Sequence, residues 1–129
     1  MKPLLTLTAV LFFAAAALAG EFPDVSLAEL KSAIATRKVT LIDVNGSDSY
    51  KKGHIPSALD FDAVKGDLAK VLPEDKDALV VAYCGGPKCG AYQAAAKAAK
   101  ELGYKNVKHF SAGISGWKEA GEKTERAKS

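Results

Sequence analysis

Short β-branched runs alternate with helix-patterned stretches along this chain, which predicts an α/β domain built on a mostly parallel sheet. Two observations carry that prediction. Strand-like runs at 39–44 and 78–83 each pass through a breaker-rich turn into a helical pattern, and the most apolar run ends directly on Cys84. In sheets of this kind ligands bind just beyond the carboxyl ends of the strands, so the same pattern marks Cys84 as a candidate for chemistry.

Taken in order, Ser26 and Glu29 fit a capping box at a helix start, with Leu27, Leu30 and Ile34 following at helical spacing. The run 39–44 is short and β-branched and reads as a buried strand. Asn45-Gly46 is a turn, 47–52 a short helix stopped by Gly53, and 58–61 a short strand. Residues 63–72 predict a helix with Val64, Leu68, Val71 and Leu72 on its apolar face, ending at the polar break 73–77. The clearest strand, 78–83, follows. A helix over 91–102 places Tyr92, Ala95, Ala96, Ala99 and Leu102 on one face and Gln93, Lys97 and Lys100 on the other. Gly103 is a natural helix end, 107–110 a further strand, and 114–120 a last helix containing Trp117. The polar segment 121–129 reads as a frayed tail.

The beginning of the chain differs in kind. Lys2 gives a small positive start, 4–16 is apolar and uncharged, and Ala17-Leu18-Ala19 is a small-x-small site. This predicts a secretory signal peptide over 1–19, cleaved before Gly20, and a single domain over 20–129 that is periplasmic or secreted. A membrane-spanning helix needs roughly 20 apolar residues, more than this run supplies, so no stable membrane anchor is expected. The net charge of +3 is mild and the lysines are scattered without interleaved aromatics, which argues against a nucleic-acid partner.

The chain has two cysteines, Cys84 and Cys89. In an oxidising compartment a close pair would usually be a structural disulfide, but a bridge closing so short a loop restrains little of the unfolded chain. Chemistry is therefore a serious alternative. The loop Cys84-Gly85-Gly86-Pro87-Lys88-Cys89-Gly90 joins a strand to a helix. Its backbone amides can converge on the sulfur and on an anion, and the following helix adds partial positive charge. Such surroundings lower a thiol pKa from about 8.5 into a range of roughly 3.5 to 7.5. Gly85 and Gly86 are expected to let the backbone turn at positive φ, where a side chain would clash. Lys88 adds a cation, whereas Pro87 stiffens the loop and removes one amide donor.

Across nearly the whole chain after residue 20, these features resemble the rhodanese-like family. Leu41-Ile42-Asp43-Val44 and Gly53-His54-Ile55-Pro56-Ser57-Ala58 resemble its first two signatures, and Val81-Ala82-Tyr83-Cys84 resembles the strand that leads to its catalytic cysteine. Leu102-Gly103-Tyr104 with Val107, then Gly113-Ile114-Ser115-Gly116-Trp117 and Gly121, resemble its closing pattern. The resemblance implies a five-stranded parallel sheet with helices on both faces. It also implies a sulfurtransferase in which Cys84 takes sulfane sulfur as a persulfide and passes it to a thiophilic acceptor. The implied partners are a small sulfur-containing anion or persulfide donor and an acceptor thiol, which a protein could supply. Asn45 stands where members often carry Arg, and Cys89-Gly90 where active sulfurtransferases often carry a basic residue followed by Ser or Thr. Without an Arg fork a tetrahedral dianion such as thiosulfate is held less well, Lys88 offering only a point charge.

Other readings stay open on the residues alone. Cys89 is a resolving residue, a disulfide partner or a filler. The pair could cycle as a thiol–disulfide redox protein, although the spacing is wider than the usual two intervening residues. The scaffold could also serve as a non-catalytic module binding an anion or protein. His54 is expected to be structural, His109 a surface or half-buried imidazole, Asp43 an acceptor of backbone amides, and Trp117 a core anchor. The two cysteines and two histidines match no compact zinc motif, and no metal or cofactor is expected.

Overall fold

The computed structural model describes residues 22–127 of the chain; the signal-peptide assignment for 1–19 lies outside them. Among these residues four strands, β1 (Thr40–Asp43), β2 (Leu59–Asp60), β3 (Val80–Tyr83) and β4 (Val107–His109), form one sheet in the order β2-β1-β3-β4. Every pairing is parallel, with Asp43 opposite both Asp60 and Tyr83, and Ala82 opposite His109. All carboxyl ends therefore share one edge. The chain leaves β1 toward β2 on one side and places β3 on the other, so the gap between β1 and β3 is the switch point of the sheet.

Five strands were expected and the fifth is reduced to a single bridge, between Asp24 and His109. The His109 amide donates to Pro23 O and the Val25 amide to His109 O, each at 2.8 Å. The pairing cannot lengthen in either direction. Pro23 has no amide to give, and two residues after Asp24 the Ser26 side chain already caps α1 (Leu27–Ala35) by accepting from the Glu29 amide.

Alternation along the strands splits the core into two layers. Ile42, Val80, Ala82 and Val107 pack with Tyr92, Ala95, Ala96 and Ala99 of α5 (Tyr92–Glu101) and with Phe61, Leu68 and Leu72. Leu41, Val81 and Tyr83 face Leu30 of α1, Ile55, Phe110 and Trp117 of α6 (Gly113–Glu119). The alanine face of α5 lets it lie close on β3 and β4. Leu102, expected on that face, is exposed because α5 has ended before it.

The helix expected over 63–72 is broken into α3 (Phe61–Val64), a 3₁₀ turn (Lys65–Asp67) and α4 (Leu68–Val71), with α2 (Ser47–Lys52) preceding them as expected. It begins early because the Asp60 carboxylate caps the Asp62 amide, which buries Phe61. Gly66 then weakens the middle, and the restart at Leu68 buries Leu68 and Leu72 but leaves Val71 exposed. The tail also differs from expectation. Glu125 exchanges two backbone bonds of 2.9 Å with His54, the Ala127 amide reaches Lys51 O, and Trp117 Nε1 donates to Lys123 O. The segment 121–127 is thus strapped across α6 and the loop before β2 rather than frayed.

Candidate functional site

β3 ends at the switch point, and Cys84 is the first residue beyond it. Its side chain turns into the α5 layer and is 1% exposed, while Cys89 is half-buried against the same layer. The two are joined by a disulfide with Cα atoms 6.2 Å apart, which answers whether the pair can meet. The intervening loop is built to bring them together. Gly86 to Cys89 form a turn in which the Cys89 amide donates to Gly86 O at 3.0 Å, with Pro87 in the second position that its fixed φ suits. Pro87 costs the loop a donor and in return returns the chain toward Cys84. Pro87, Lys88 and Gly90 are exposed at the surface, and Gly85 and Gly86 half-buried.

The start of α6 holds the other side of the loop. The Ile114 amide donates to Cys84 O and the Ser115 amide to Gly85 O, both at 3.0 Å. These carbonyls face α6, and in trans peptides the amides of Gly85 and Gly86 consequently point away from it, into the loop. Among the described residues, the amides of Gly85, Gly86, Lys88 and Gly90 donate to no protein acceptor. The approach depends on Gly113. At φ +61°, a Cβ there would lie 2.6 Å from Cys84 O and from the Gly85 carbonyl carbon. Gly113, rather than Gly85 or Gly86 as expected, carries the positive φ at the site. A Cβ on Gly85 would sit 3.8 Å from Asn45 Oδ1, which flanks the loop on the β1 side, and one on Gly86 3.9 Å from Ser115, both ordinary contacts.

Beneath the site runs a buried polar chain. The Tyr83 hydroxyl donates to Asp43 Oδ2 at 2.6 Å and accepts from the Ile55 amide at 3.0 Å, while Asp43 Oδ1 accepts from the Asn45 amide at 2.8 Å. Burial pushes the Asp43 carboxyl above its ordinary range, against the lowering effect of the Tyr83 hydroxyl and the Asn45 amide. Burial, then the adjacent Asp43 charge, pushes the Tyr83 phenol well above its usual value. Asp43 is thus an amide acceptor, as expected, and also the partner of Tyr83, which the residue pattern had not paired with it. The available signal was that each closes a strand at the same carboxyl edge.

His54 is structural as expected. It is buried, stacked on Tyr50 with ring centroids 3.7 Å apart, and its Nδ1 donates to Tyr50 O at 2.8 Å. His109 departs from expectation. It is buried under Tyr92, with ring centroids 3.3 Å apart, and among the described residues its Nε2 has no hydrogen-bond partner. Burial lowers its pKa, opposed by the nearby Asp24. Trp117 is the buried anchor expected of it.

A family model for the rhodanese-like domain matches residues 26–120, from the cap of α1 to the end of α6. The chain belongs to the rhodanese-like family. An HTH-type transcriptional regulator of Mycobacterium tuberculosis is 34% identical over 98 residues, which are 75% of this chain and 42% of that protein. The rhodanese-like chain described here therefore spans less than half of that relative. Among solved structures, a human single-domain sulfurtransferase has 26% identity and a TM-score of 0.57, covering 75% of this chain and 96% of its own. A thiosulfate sulfurtransferase from Pseudomonas aeruginosa has 23% identity and a TM-score of 0.67, over 81% of this chain and 20% of that one, a likeness of fold.

Proposed function

We propose that this protein is an exported sulfurtransferase in which the Cys84 thiol, freed by reduction of its bond to Cys89, accepts a sulfane sulfur. The observation that carries the reading is the placement of Cys84. It stands at the switch point of the sheet, at the start of a loop whose inward amides have no protein acceptor among the described residues. Those amides favour the thiolate and an anionic donor. In the transfer, the Cys84 thiolate attacks the outer sulfur of a thiosulfonate or thiosulfate. A Cys84 persulfide forms, the sulfur–sulfur bond of the donor breaks, and sulfinate or sulfite leaves with the electron pair. Lys88 serves as a mobile cation at the mouth. With Asn45 rather than an Arg beside the loop, a monoanionic donor suits the site better than a dianion. Membership of the family and the likeness to a single-domain sulfurtransferase support the same reading.

The test is the intact mass of reduced chain after incubation with an aryl thiosulfonate, with the sulfinate product measured in parallel. Sulfinate release that depends on prior reduction and vanishes in Cys84→Ser supports the reading. Undiminished release from Cys84→Ser sinks it. The bonded pair itself favours a second reading, a thiol–disulfide redox protein. A dithiol–disulfide equilibrium at a physiological potential, with no sulfinate formed by reduced protein, would put that reading first. Neither behaviour from fully reduced, folded protein would leave a binding module. Export is tested separately, by whether protein recovered from the cell envelope begins at Gly20.

A further inference from the structure

The two sulfurs of the site are unequal, and the inequality gives each a separate job. Cys84 is 1% exposed and Cys89 half-buried at the surface side of the loop. The Gly86–Cys89 turn delivers the Cys89 sulfur onto Cys84 Sγ, the position at which a transferred sulfur would also be attached. Resting on the sulfurtransferase reading above, we propose that Cys89 resolves the Cys84 persulfide, so that the transferred sulfur leaves as hydrogen sulfide and the enzyme is left as the observed disulfide.

The step balances without a further reactant. The Cys89 thiolate attacks Cys84 Sγ of the protonated persulfide, the Cys84–Cys89 bond forms, the bond from Cys84 Sγ to the outer sulfur breaks, and HS⁻ departs. The outer sulfur is reduced by two electrons and the two cysteines are oxidised by two. The second half of the cycle consumes an external dithiol. Its thiolate must attack one sulfur of the disulfide, and the burial of Cys84 directs it to Cys89. A mixed disulfide then forms at Cys89 and Cys84 is the thiolate expelled. Closure of the mixed disulfide by the second thiol of the donor leaves both cysteines reduced. The buried sulfur is thus the one that receives the sulfane and the accessible sulfur the one that receives electrons. The reaction as a whole is reduction of a sulfane sulfur to sulfide by a dithiol.

A single-turnover experiment on the full chain separates this from the underlying reading. Protein is reduced, freed of reductant, and mixed with toluenethiosulfonate, which brings no sulfide of its own. Toluenesulfinate, sulfide and intact mass are followed together in wild type, Cys89→Ser and Cys89→Ala. The expected result for wild type is sulfinate and sulfide in equal amounts and a final mass two hydrogens below that of the reduced chain. The two variants should form sulfinate, hold one extra sulfur atom, and release no sulfide until a thiol is added. Sulfinate without sulfide from wild type, with Cys89 still open to alkylation, overturns the proposal. So does sulfide release from the variants at the wild-type rate. Absence of sulfinate from all three folded proteins instead removes the sulfurtransferase reading on which the proposal stands.

Discussion

Tyr83 and Cys84 are neighbours in sequence at the end of the same strand, yet the regions they anchor are organised on opposite principles. The side chain of Tyr83 enters the α1/α6 layer, where its hydroxyl, the Asp43 carboxyl and the amides of Ile55 and Asn45 satisfy one another completely. Cys84 opens a loop whose carbonyls are bonded to α6 while, among the described residues, its inward amides donate to no protein acceptor. A buried polar group without a partner costs free energy, so the first region is closed on itself and holds β1, β3 and the loop before β2 in register. The second, at the surface where water can stand in, leaves its donors open, as the proposed chemistry requires. On the proposed function, stability and reactivity are divided at a single peptide bond.

Substitutions on either side of that bond should separate the two roles. The largest effect is expected where the regions are tied together, at Gly113. Gly113→Ala forces a Cβ against Cys84 O and the Gly85 carbonyl carbon at a positive φ, and should destabilise the fold by about 3 kcal/mol while displacing the loop. Urea unfolding and sulfinate release should fall together; a drop in only one would show the loop and α6 to be uncoupled. Tyr83→Phe leaves the Ile55 amide and one Asp43 oxygen buried without this partner, at a cost of about 1–3 kcal/mol in urea unfolding. Sulfinate formation by the protein that remains folded should be unchanged. A large kinetic defect there would break the division just drawn.

Smaller effects sharpen it. Lys88 is exposed at the tip of the loop, and Lys88→Ala should raise the KM for an anionic donor about two- to fivefold with no change in unfolding midpoint. His109 provides the mildest test, its ring stacked on Tyr92 in the layer opposite the one that holds Tyr83. Its folded pKa lies below its unfolded value, so the unfolded state binds the proton more readily below the ordinary histidine range. Stability should therefore decline as pH falls through and below about 6.5, and His109→Gln should flatten that decline in thermal melts. An unchanged slope would assign the acid sensitivity to other groups.

Much of this architecture was legible in the residues, because the periodicities that reveal it are local. The β-branched run ending at Asp43, the apolar run ending at Tyr83 and the alanine stripe of α5 each report which face is buried, and together they fix an α/β domain with Cys84 at a strand end. What was misread involved competition between segments. Residues 63–72 carry a continuous helical stripe, but the Asp60 cap and Gly66 divide it. The polar tail carries no apolar signal, yet its backbone bonds to His54 and Lys51 hold it in place. The fifth strand was shortened by Pro23 and by the helix cap that follows it, both visible in sequence but decisive only once β4 lay alongside.

At the site the same boundary holds. The sequence by itself determined the cysteine at the strand end that we propose as nucleophile, the glycine-rich turn and the presence of a second sulfur five residues on, since these are matters of residue type and spacing. The tertiary structure decided which sulfur is buried and which is reachable, and that they are bonded. It also decided that α6 takes up the loop carbonyls through Gly113 and that Asp43 and Tyr83 close the floor beneath. Those outcomes depend on where separate strands and helices come to rest against one another, and a hydrogen bond such as that from Tyr83 to Asp43, forty positions apart, leaves no periodic trace in the chain that makes it.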